Sequence, residues 1–195
     1  MTISAVLRFF IVLAVLSVSL AAAPVRAGGL APAAPQPAMS ELKAGLAVDY
    51  LLIDALHVDN IEAAGRGKPG KSLLTLNWNM GSGPILTHAD DDQVAARITG
   101  FIRFEAAGEY LMKIKSNDGA RLSIGGQVVI DDPDVHLDRF SGTAKVAVPT
   151  AGWYPVYMLY FERRGTATLE LHWQPPGTGA FDVVPAAAFA HLPKG

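Results

Sequence analysis

The sequence predicts an all-β protein, folded as an antiparallel β-sandwich or barrel. Apolar and polar residues alternate along many short segments, which places one set of side chains inward and the other outward. These segments recur at even spacing and are separated by turn signals, with almost no helical pattern. The 19 glycines and 13 prolines suit a turn-rich fold, and the hydrophobic content of 50% supplies a core for one domain.

The first 27 residues predict an export signal. Arg8 precedes an apolar run over 9–23, and Val25-Arg26-Ala27 has the small-x-small form that signal peptidase accepts. We expect cleavage after Ala27, with the alanine run 21–23 as a second candidate. A retained anchor is the alternative, although the run is shorter than the roughly 20 residues of a spanning helix. The protein is therefore expected to be secreted or periplasmic, with no membrane span after cleavage.

The segment after the signal differs in composition from the rest of the chain. Residues 28–41 are rich in alanine and proline and predict a flexible or semi-extended spacer, or simply a tail left by processing. The folded domain is expected over 42–192.

The domain divides into strands and loops in the following order. Residues 43–54 fit a strand or a helix, and the alternation of Leu46, Val48 and Tyr50 favours a strand. Long polar loops are predicted over 55–72, 81–93 and 131–141. Further strands are predicted over 72–80, 94–105, 108–115, 120–124, 127–130, 143–148, 153–161 and 166–173.

Two tight polar connections are predicted as hairpin turns. Ser116-Asn117-Asp118-Gly119 joins two strands with residues that tolerate left-handed backbone and bond their own main chain. Glu162-Arg163-Arg164-Gly165 joins the next long pair. The Asn117-Asp118 pair is the most polar point of the scaffold, and a binding site is expected there.

Charge and composition exclude several classes of function. The formal charge is −2, from 16 basic and 18 acidic residues, which argues against a nucleic-acid partner. Loss of Arg8 and Arg26 with the signal would leave 14 basic against 18 acidic residues, a charge of −4. Cysteine is absent, which excludes a disulfide framework, a thiolate zinc site, a cysteine nucleophile and a lipid-modified cysteine.

Several short stretches, taken in order, resemble the protective-antigen-type domain family (PA-fourteen), found in bacterial toxins, glycosidases and fungal adhesins. No single stretch is specific for this family, but the order and spacing of the stretches, from about residue 42 to 192, are specific for it. The stretches are Gly45-Leu46, Asp49-Tyr50, Asn77-Trp78, Gly100-Phe101-Ile102, Gly108-Glu109-Tyr110, 116–122, Ile124-Gly125-Gly126, 151–155, Tyr160-Phe161-Glu162 and 167–173.

The resemblance implies a β-sandwich or barrel that binds carbohydrate. In the adhesin branch, two adjacent aspartates joined by a cis peptide hold a calcium ion, which grips vicinal sugar hydroxyls. Those aspartates correspond to Asn117 and Asp118. A later loop, about 162–166, would supply Glu162 as a third metal ligand and Arg163 as a sugar contact. Calcium suits such a site because it takes six to eight oxygen ligands in loose geometry.

The sequence departs from this pattern at its first position. Asn117 keeps a carbonyl oxygen but removes one negative charge, so a weaker metal site or a metal-free site is expected. A plain turn at Asn117-Asp118 is the competing interpretation.

Other motifs give weaker predictions. Residues 65–72 match G-x-x-x-x-G-K-S, but a phosphate loop needs a strand before it and a helix after it, so we expect a solvated basic loop and no nucleotide. The acidic runs 90–92 and 131–138, the latter with His136, are candidate cation or sugar contacts but more typical of surface loops. Trp78, Trp153 and Trp173 fit strand cores better than sugar-stacking platforms.

The sequence thus predicts an exported, non-catalytic, lectin-like glycan-binding module, with calcium as a candidate cofactor. Its expected partner is a glycan or cell-surface polysaccharide. The alternative is a structural or protein-interaction β-sandwich that has lost its sugar site. The sequence gives no indication of an enzyme. It shows no pair of acids placed across a cleft, no metal-binding spacing among the five histidines and no serine-nucleophile elbow.

Overall fold

The computed structural model describes residues 29–193, so the predicted signal peptide lies outside the described residues. Fourteen strands are described within that range, together with one α-helix, α1 (Asp59–Ala63), and one 3-10 helix, Ala186–Ala188. The strands are β1 (Lys43–Ala44), β2 (Ala47–Leu52), β3 (Lys68–Pro69), β4 (Asn77–Gly81), β5 (Val94–Phe104), β6 (Gly108–Asn117), β7 (Ala120–Ile124), β8 (Gln127–Asp132), β9 (Arg139–Phe140), β10 (Ala144–Val148), β11 (Gly152–Glu162), β12 (Ala167–Gln174), β13 (Asp182–Val183) and β14 (Phe189–His191).

The strands form two antiparallel sheets, which confirms the predicted all-β sandwich. The first sheet runs β1-β14-β5-β11-β7-β8, with β2 and β3 continuing beyond β5. The second runs β10-β6-β12-β13, with β4 beside β12 and β9 beside β6. The longest ladder of the first sheet pairs β5 with β11, from Val94 opposite Glu162 to Phe104 opposite Gly152. This ladder fixes two poles of the sandwich, an upper pole at Glu162 and a lower pole at Gly152.

The main core lies between the two sheets and follows the predicted alternation. Tyr110, Met112 and Ile114 on β6 are buried, and Leu122 and Ile124 on β7 face them from the other sheet. The predicted strand 72–80 is shorter than expected, because Leu73 forms only an isolated bridge with Leu46 and the continuous strand begins at Asn77. Leu74, which alternation with Leu76 and Trp78 places on an inward face, is instead 58% exposed.

A second, smaller apolar cluster lies on the outer face of the first sheet. The α1 residue Ile61 packs there with Ala95, Leu159 and Phe161 from β5 and β11. The prediction of loop throughout 55–72 is therefore wrong over α1, because a five-residue helix is too short to show a helical period. Arg97 caps this helix by donating to the carbonyl oxygen of Ile61 at 2.9 Å.

Both predicted hairpin turns are instead connections that cross from one sheet to the other. β6 belongs to the second sheet and β7 to the first, and β11 and β12 are divided in the same way. A short polar link between two alternating strands is shared by hairpins and by corners where the chain changes sheets, so sequence pattern cannot separate them. A true hairpin does join β7 to β8, through Gly125 and Gly126, both with positive φ.

The segment before β1 packs against the lower pole. Residues 29–36, called here the N-terminal strap, bury Leu30 to 4% exposure. The N–H groups of Leu30, Ala31 and Ala33 donate to the carbonyls of Ala147, Gly125 and Trp153. Main-chain hydrogen bonds thus hold these residues without requiring many apolar side chains, in a segment for which the sequence predicts a flexible or semi-extended spacer.

Within residues 29–193, no helix is long and apolar enough to cross a membrane.

Candidate functional site

The two sheet-crossing connections lie side by side at the upper pole. Asn117, at the end of β6, pairs with Thr168 at the start of β12. Beyond it, the N–H of Asp118 donates to the carbonyl of Phe161 at 3.1 Å, and the N–H of Phe161 donates to Gly119 at 3.1 Å. Backbone hydrogen bonds from both sheets therefore fix where the 117–118 dipeptide meets the loop 162–166.

Asn117 is held by its backbone and by its side chain. The peptide bond between Asn117 and Asp118 is cis, the geometry that the resemblance implies for this pair. The buried Tyr160 hydroxyl donates to the Asn117 carbonyl at 2.7 Å, and Asn117 Nδ2 donates to Thr166 Oγ1 at 3.0 Å. Because Nδ2 is engaged, Asn117 Oδ1 remains as an acceptor for a ligand.

Asp118 joins two loops through its carboxylate. Oδ1 accepts the N–H of His136 at 3.0 Å, and Oδ2 accepts the N–H of Arg163 at 2.9 Å. The residue is only 4% exposed, but its buried charge is stabilised by these two amides. Asp118 therefore positions the loop 133–138 against the loop 162–166, a structural role that the sequence does not predict.

An open pocket of about 480 Å³ lies between these loops. Its volume falls within the usual range of small-ligand sites. Three of the four predicted ligand-binding residues line it, Asn117, Asp118 and Arg163, whereas Glu162 does not. The other lining residues are Val135, His136, Leu137, Arg164, Gly165 and Thr166.

The pocket wall combines apolar and cationic side chains. Leu137 is 83% exposed and Val135 is 42% exposed, so both present apolar surface to solvent. Arg163 donates from Nε to Asp54 at 2.7 Å, and Arg164 lies 3.8 Å from the same carboxylate. The Arg163 hydrogen bond lowers the pKa of Asp54, with both guanidinium charges acting in the same direction.

Glu162 lies behind the pocket, fully buried at the end of β11. Neither carboxylate oxygen has a hydrogen-bond partner among the described residues. Burial, together with the nearby charges of Asp92, Asp118 and Asp91, raises the pKa of this carboxyl from 4.5 to about 7. The Gln93 N–H opposes this rise only weakly, because it donates to the Arg163 carbonyl and not to Glu162. Such an unpaired buried acid is unusual, because burial penalises a carboxylate that nothing neutralises.

The side-chain oxygens of Asn117 and Asp118 are suitable ligands for a calcium ion. Asn117 Oδ1 is available, and each Asp118 oxygen accepts one N–H and keeps further lone-pair capacity. Glu162, the third predicted ligand, does not share this wall. Over the described part of the chain, no three histidine or acidic side chains are already grouped to hold a metal. A calcium ion here would take most of its ligands from main-chain oxygens, water and sugar.

The acidic loops expected as weaker candidates have structural partners. Asp92 Oδ1 accepts the N–H of Gly165 at 2.9 Å and so anchors the pocket loop from behind. Asp131 pairs with Arg121, and Asp138 Oδ2 accepts the hydroxyl hydrogen of Thr168. Of the run 131–138, only the part around His136 reaches the pocket.

The remaining motifs behave as their sequence context predicts. The segment 65–72 follows α1 and precedes β4, the reverse of a phosphate loop, and it contains β3. Trp153 and Trp173 are buried, and Trp78 is half-buried with its Nε1 donating to Thr75. None of the three lines the pocket.

The sequence does not single out five of the lining residues, namely Val135, Leu137, Arg164, Gly165 and Thr166. The last three lie in the loop 162–166, which the resemblance links to specificity, so that loop was the signal that could have found them. Val135 and Leu137 lie in an irregular segment whose position depends on Asp118 and is not encoded in any local pattern.

Comparison with known proteins is consistent with this architecture. The sequence model described as the PA14 domain matches residues 72–186, which is more than half of the 195 residues. No curated protein matches the chain.

Solved structures give similarity in fold. The PA14 domain of MpAFP antifreeze protein has a TM-score of 0.67 at 15% identity, covering 77% of this chain and 92% of that one. A PA14 sugar-binding domain from an RTX adhesin has a TM-score of 0.61 at 17% identity, with 76% and 98% covered. The Epithelial Adhesin 9 A domain of Candida glabrata, in complex with Galb1-4GlcNAc, has a TM-score of 0.64 at 12% identity, with 85% and 97% covered.

Proposed function

Because this chain belongs to the PA14 domain family, we propose that it is a non-catalytic glycan-binding domain whose site is the pocket at Asn117 and Asp118. The observation that carries the proposal is the position of this pocket. It lies where two sheet-crossing connections meet, and its polar atoms are fixed by main-chain hydrogen bonds from both sheets. Preorganised acceptors and donors beside apolar surface are what a sugar requires, because its ring has hydroxyls at the edge and C–H groups on its faces.

Two similar structures support a sugar rather than another small molecule. The RTX adhesin domain is described as sugar-binding, and the Candida glabrata adhesin domain is a complex with a disaccharide. Their sequence identities to this chain are below 25%. They therefore show similarity in fold, and the sugar is the class of ligand that they suggest for testing.

The pocket residues have different roles in binding the sugar. Asn117 Oδ1 accepts hydrogen bonds from sugar hydroxyls, and the Arg163 and Arg164 guanidiniums donate to sugar oxygens. Leu137 and Val135 cover an apolar ring face. Asp118 holds both loops in place through the amides of His136 and Arg163.

Calcium is proposed as an aid to this binding. The ion would be held by Asn117 Oδ1 and the Asp118 carboxylate, and it would supply a charged centre for adjacent hydroxyl groups. With an amide at 117 in place of a second carboxylate, its affinity is expected to be modest.

The pocket supports binding rather than cleavage. Glycoside hydrolysis uses two carboxyl groups about 5–10 Å apart across the bond. Among the described residues that line this pocket, Asp118 is the one carboxylate, and both of its oxygens are engaged by amides.

Export is also proposed, from the sequence alone. The charged Arg8, the apolar run 9–23 and the Val25-Arg26-Ala27 site direct the chain to the periplasm or the exterior, where polysaccharide is present.

A glycan array, run with calcium and with chelator, tests this function. Asn117→Ala should lose the glycans bound by the wild type, because the available acceptor disappears. Asn79→Ala is the matched control, since Asn79 is an exposed asparagine on β4 that does not line the pocket. Equal binding by both variants would rule out the assigned site.

A scaffold role is the second candidate function. It is favoured by the Asp118 carboxylate, whose two hydrogen bonds join the protein's own loops. A wild-type array with no bound glycan in either condition would favour this scaffold.

A further inference from the structure

We propose that the saccharide taken by this pocket carries an acidic group, which the Arg164 guanidinium holds. This inference rests on the proposed glycan-binding function and adds the chemical class of the ligand. Its basis is the distribution of charge around the pocket.

The described lining of the pocket has an excess of positive charge. Arg163 and Arg164 are the cations and Asp118 is the carboxylate. Asp118 uses both oxygens to accept main-chain N–H groups, so its charge is partly compensated. With two guanidiniums and one carboxylate, these three lining side chains carry a net charge of about +1 at neutral pH.

Two arginines share one partner outside the pocket. Asp54 receives hydrogen bonds from Arg163 Nε and Nη2, at 2.7 and 3.5 Å. Arg164 lies 3.8 Å from the same carboxylate and donates no hydrogen bond to any described residue. One carboxylate cannot neutralise two guanidiniums, so this trio keeps a net charge of about +1 at neutral pH.

Arg164 is the more available of the two guanidiniums. Its side chain is 62% exposed, compared with 32% for Arg163. A guanidinium presents five N–H donors in a planar fork, which matches a carboxylate, sulfate or phosphate group through two parallel hydrogen bonds. A neutral hydroxyl would use only one of these donors.

Other acids near this loop lie outside the lining. Asp92 approaches from behind, with Oδ1 bound to the Gly165 amide, and Glu162 is buried there. Their position leaves the open side of the pocket to the arginines. Leu137 and Val135 line the same cavity, so an acidic sugar would set its charged group at Arg164 and its ring on apolar surface.

The test measures affinity of the exported protein for matched acidic and neutral saccharides. An oligogalacturonide is compared with a galactose oligomer of the same length, and sulfated and phosphorylated galactosides separate the three kinds of acidic group. We expect at least one acidic saccharide to bind about tenfold or more tightly than its neutral counterpart. Inorganic sulfate alone, used as a competitor, shows whether the sugar ring is required.

Two variants locate the acidic group. Arg164→Ala should bring the ratio of acidic to neutral affinity close to one. Arg103→Ala is the control, because Arg103 is an ion-paired arginine on β5 near the lower pole and should preserve the ratio. Equal affinity for acidic and neutral sugars in the wild type would overturn this inference and leave the proposed function standing. Absence of all saccharide binding would overturn both.

Discussion

The Arg163 N–H donates to Asp118 Oδ2 at 2.9 Å, which joins the connection between β6 and β7 to the connection between β11 and β12. Because each connection crosses between the sheets, this one hydrogen bond ties the two layers together at the upper pole. The His136 amide completes the arrangement on the other carboxylate oxygen.

Replacing Asp118 by alanine should destabilise the fold as well as the site. Two partly buried N–H groups would lose their acceptors, at about 1–3 kcal/mol each, so we expect a loss of about 2–6 kcal/mol in the free energy of unfolding. Denaturant unfolding measures it. Asp182→Ala, on the exposed edge strand β13, should change stability by less than about 0.5 kcal/mol. A similar small loss at Asp118 would mean that its amide bonds do not support the fold.

The buried Glu162 should make stability fall as pH rises. Its folded pKa of about 7 lies above the value of 4.5 for an exposed glutamate, so the folded state binds more protons between pH 4.5 and 7. Stability from this group is complete below pH 4.5 and is lost as pH rises through 7, by about 3 kcal/mol.

Glu162→Gln isolates this effect. The amide cannot ionise, so the variant should be more stable than the wild type at pH 8 and should lose the difference near pH 4.5. Thermal unfolding across that range is the measurement. A parallel pH dependence in both proteins would show that Glu162 does not titrate as the structure indicates.

Calcium should raise the melting temperature of the wild type, and chelator should reverse the change. A ligand that binds only the folded state stabilises it by mass action. Asp118→Asn, which keeps size but loses the charge, should greatly reduce the shift, whereas Asp182→Ala should retain it. If the melting temperature of the wild type does not change with calcium, the proposed site has no metal, and the pocket residues alone would bind the sugar.

Gly125→Ala should release the N-terminal strap from the lower pole. A Cβ at this position would lie 2.6 Å from the backbone N and O of Ala31, and φ is +56°. Hydrogen exchange at the amides of Leu30 and Ala31 should therefore accelerate. Gly126→Ala separates backbone strain from collision, because Gly126 also has a positive φ but no neighbour within 4 Å. Unchanged exchange in Gly125→Ala would show that the strap is held by its other contacts.

The strands were predictable because their physics is local. Alternation on β6 and β7 identified which side chains are buried, since every second residue of such a strand faces the core and is apolar. The resemblance groups Asn117, Asp118, Glu162 and Arg163, and the first two and Arg163 line one pocket, because the order of short stretches reflects the whole fold.

The remainder depends on contacts between distant segments. Leu137 lines the pocket because Asp118 binds the amide next to it, and Arg164 is available because Asp54, far away in sequence, is already bound to Arg163. The hairpin prediction failed for the same reason, since the partner of a strand is set by the sheet that it joins. Contacts between distant segments and the choice of strand partner produce no periodic pattern in the sequence.

The N-terminal strap and the pocket lie at opposite ends of β11. This strand runs from Gly152 to Glu162, a rise of about 33 Å at ~3.3 Å per residue. The strap residue Gln36 accepts a hydrogen bond from the Trp153 N–H beside Gly152, whereas the pocket lies beyond Glu162. A molecule bound at one end of the domain therefore leaves the other end accessible.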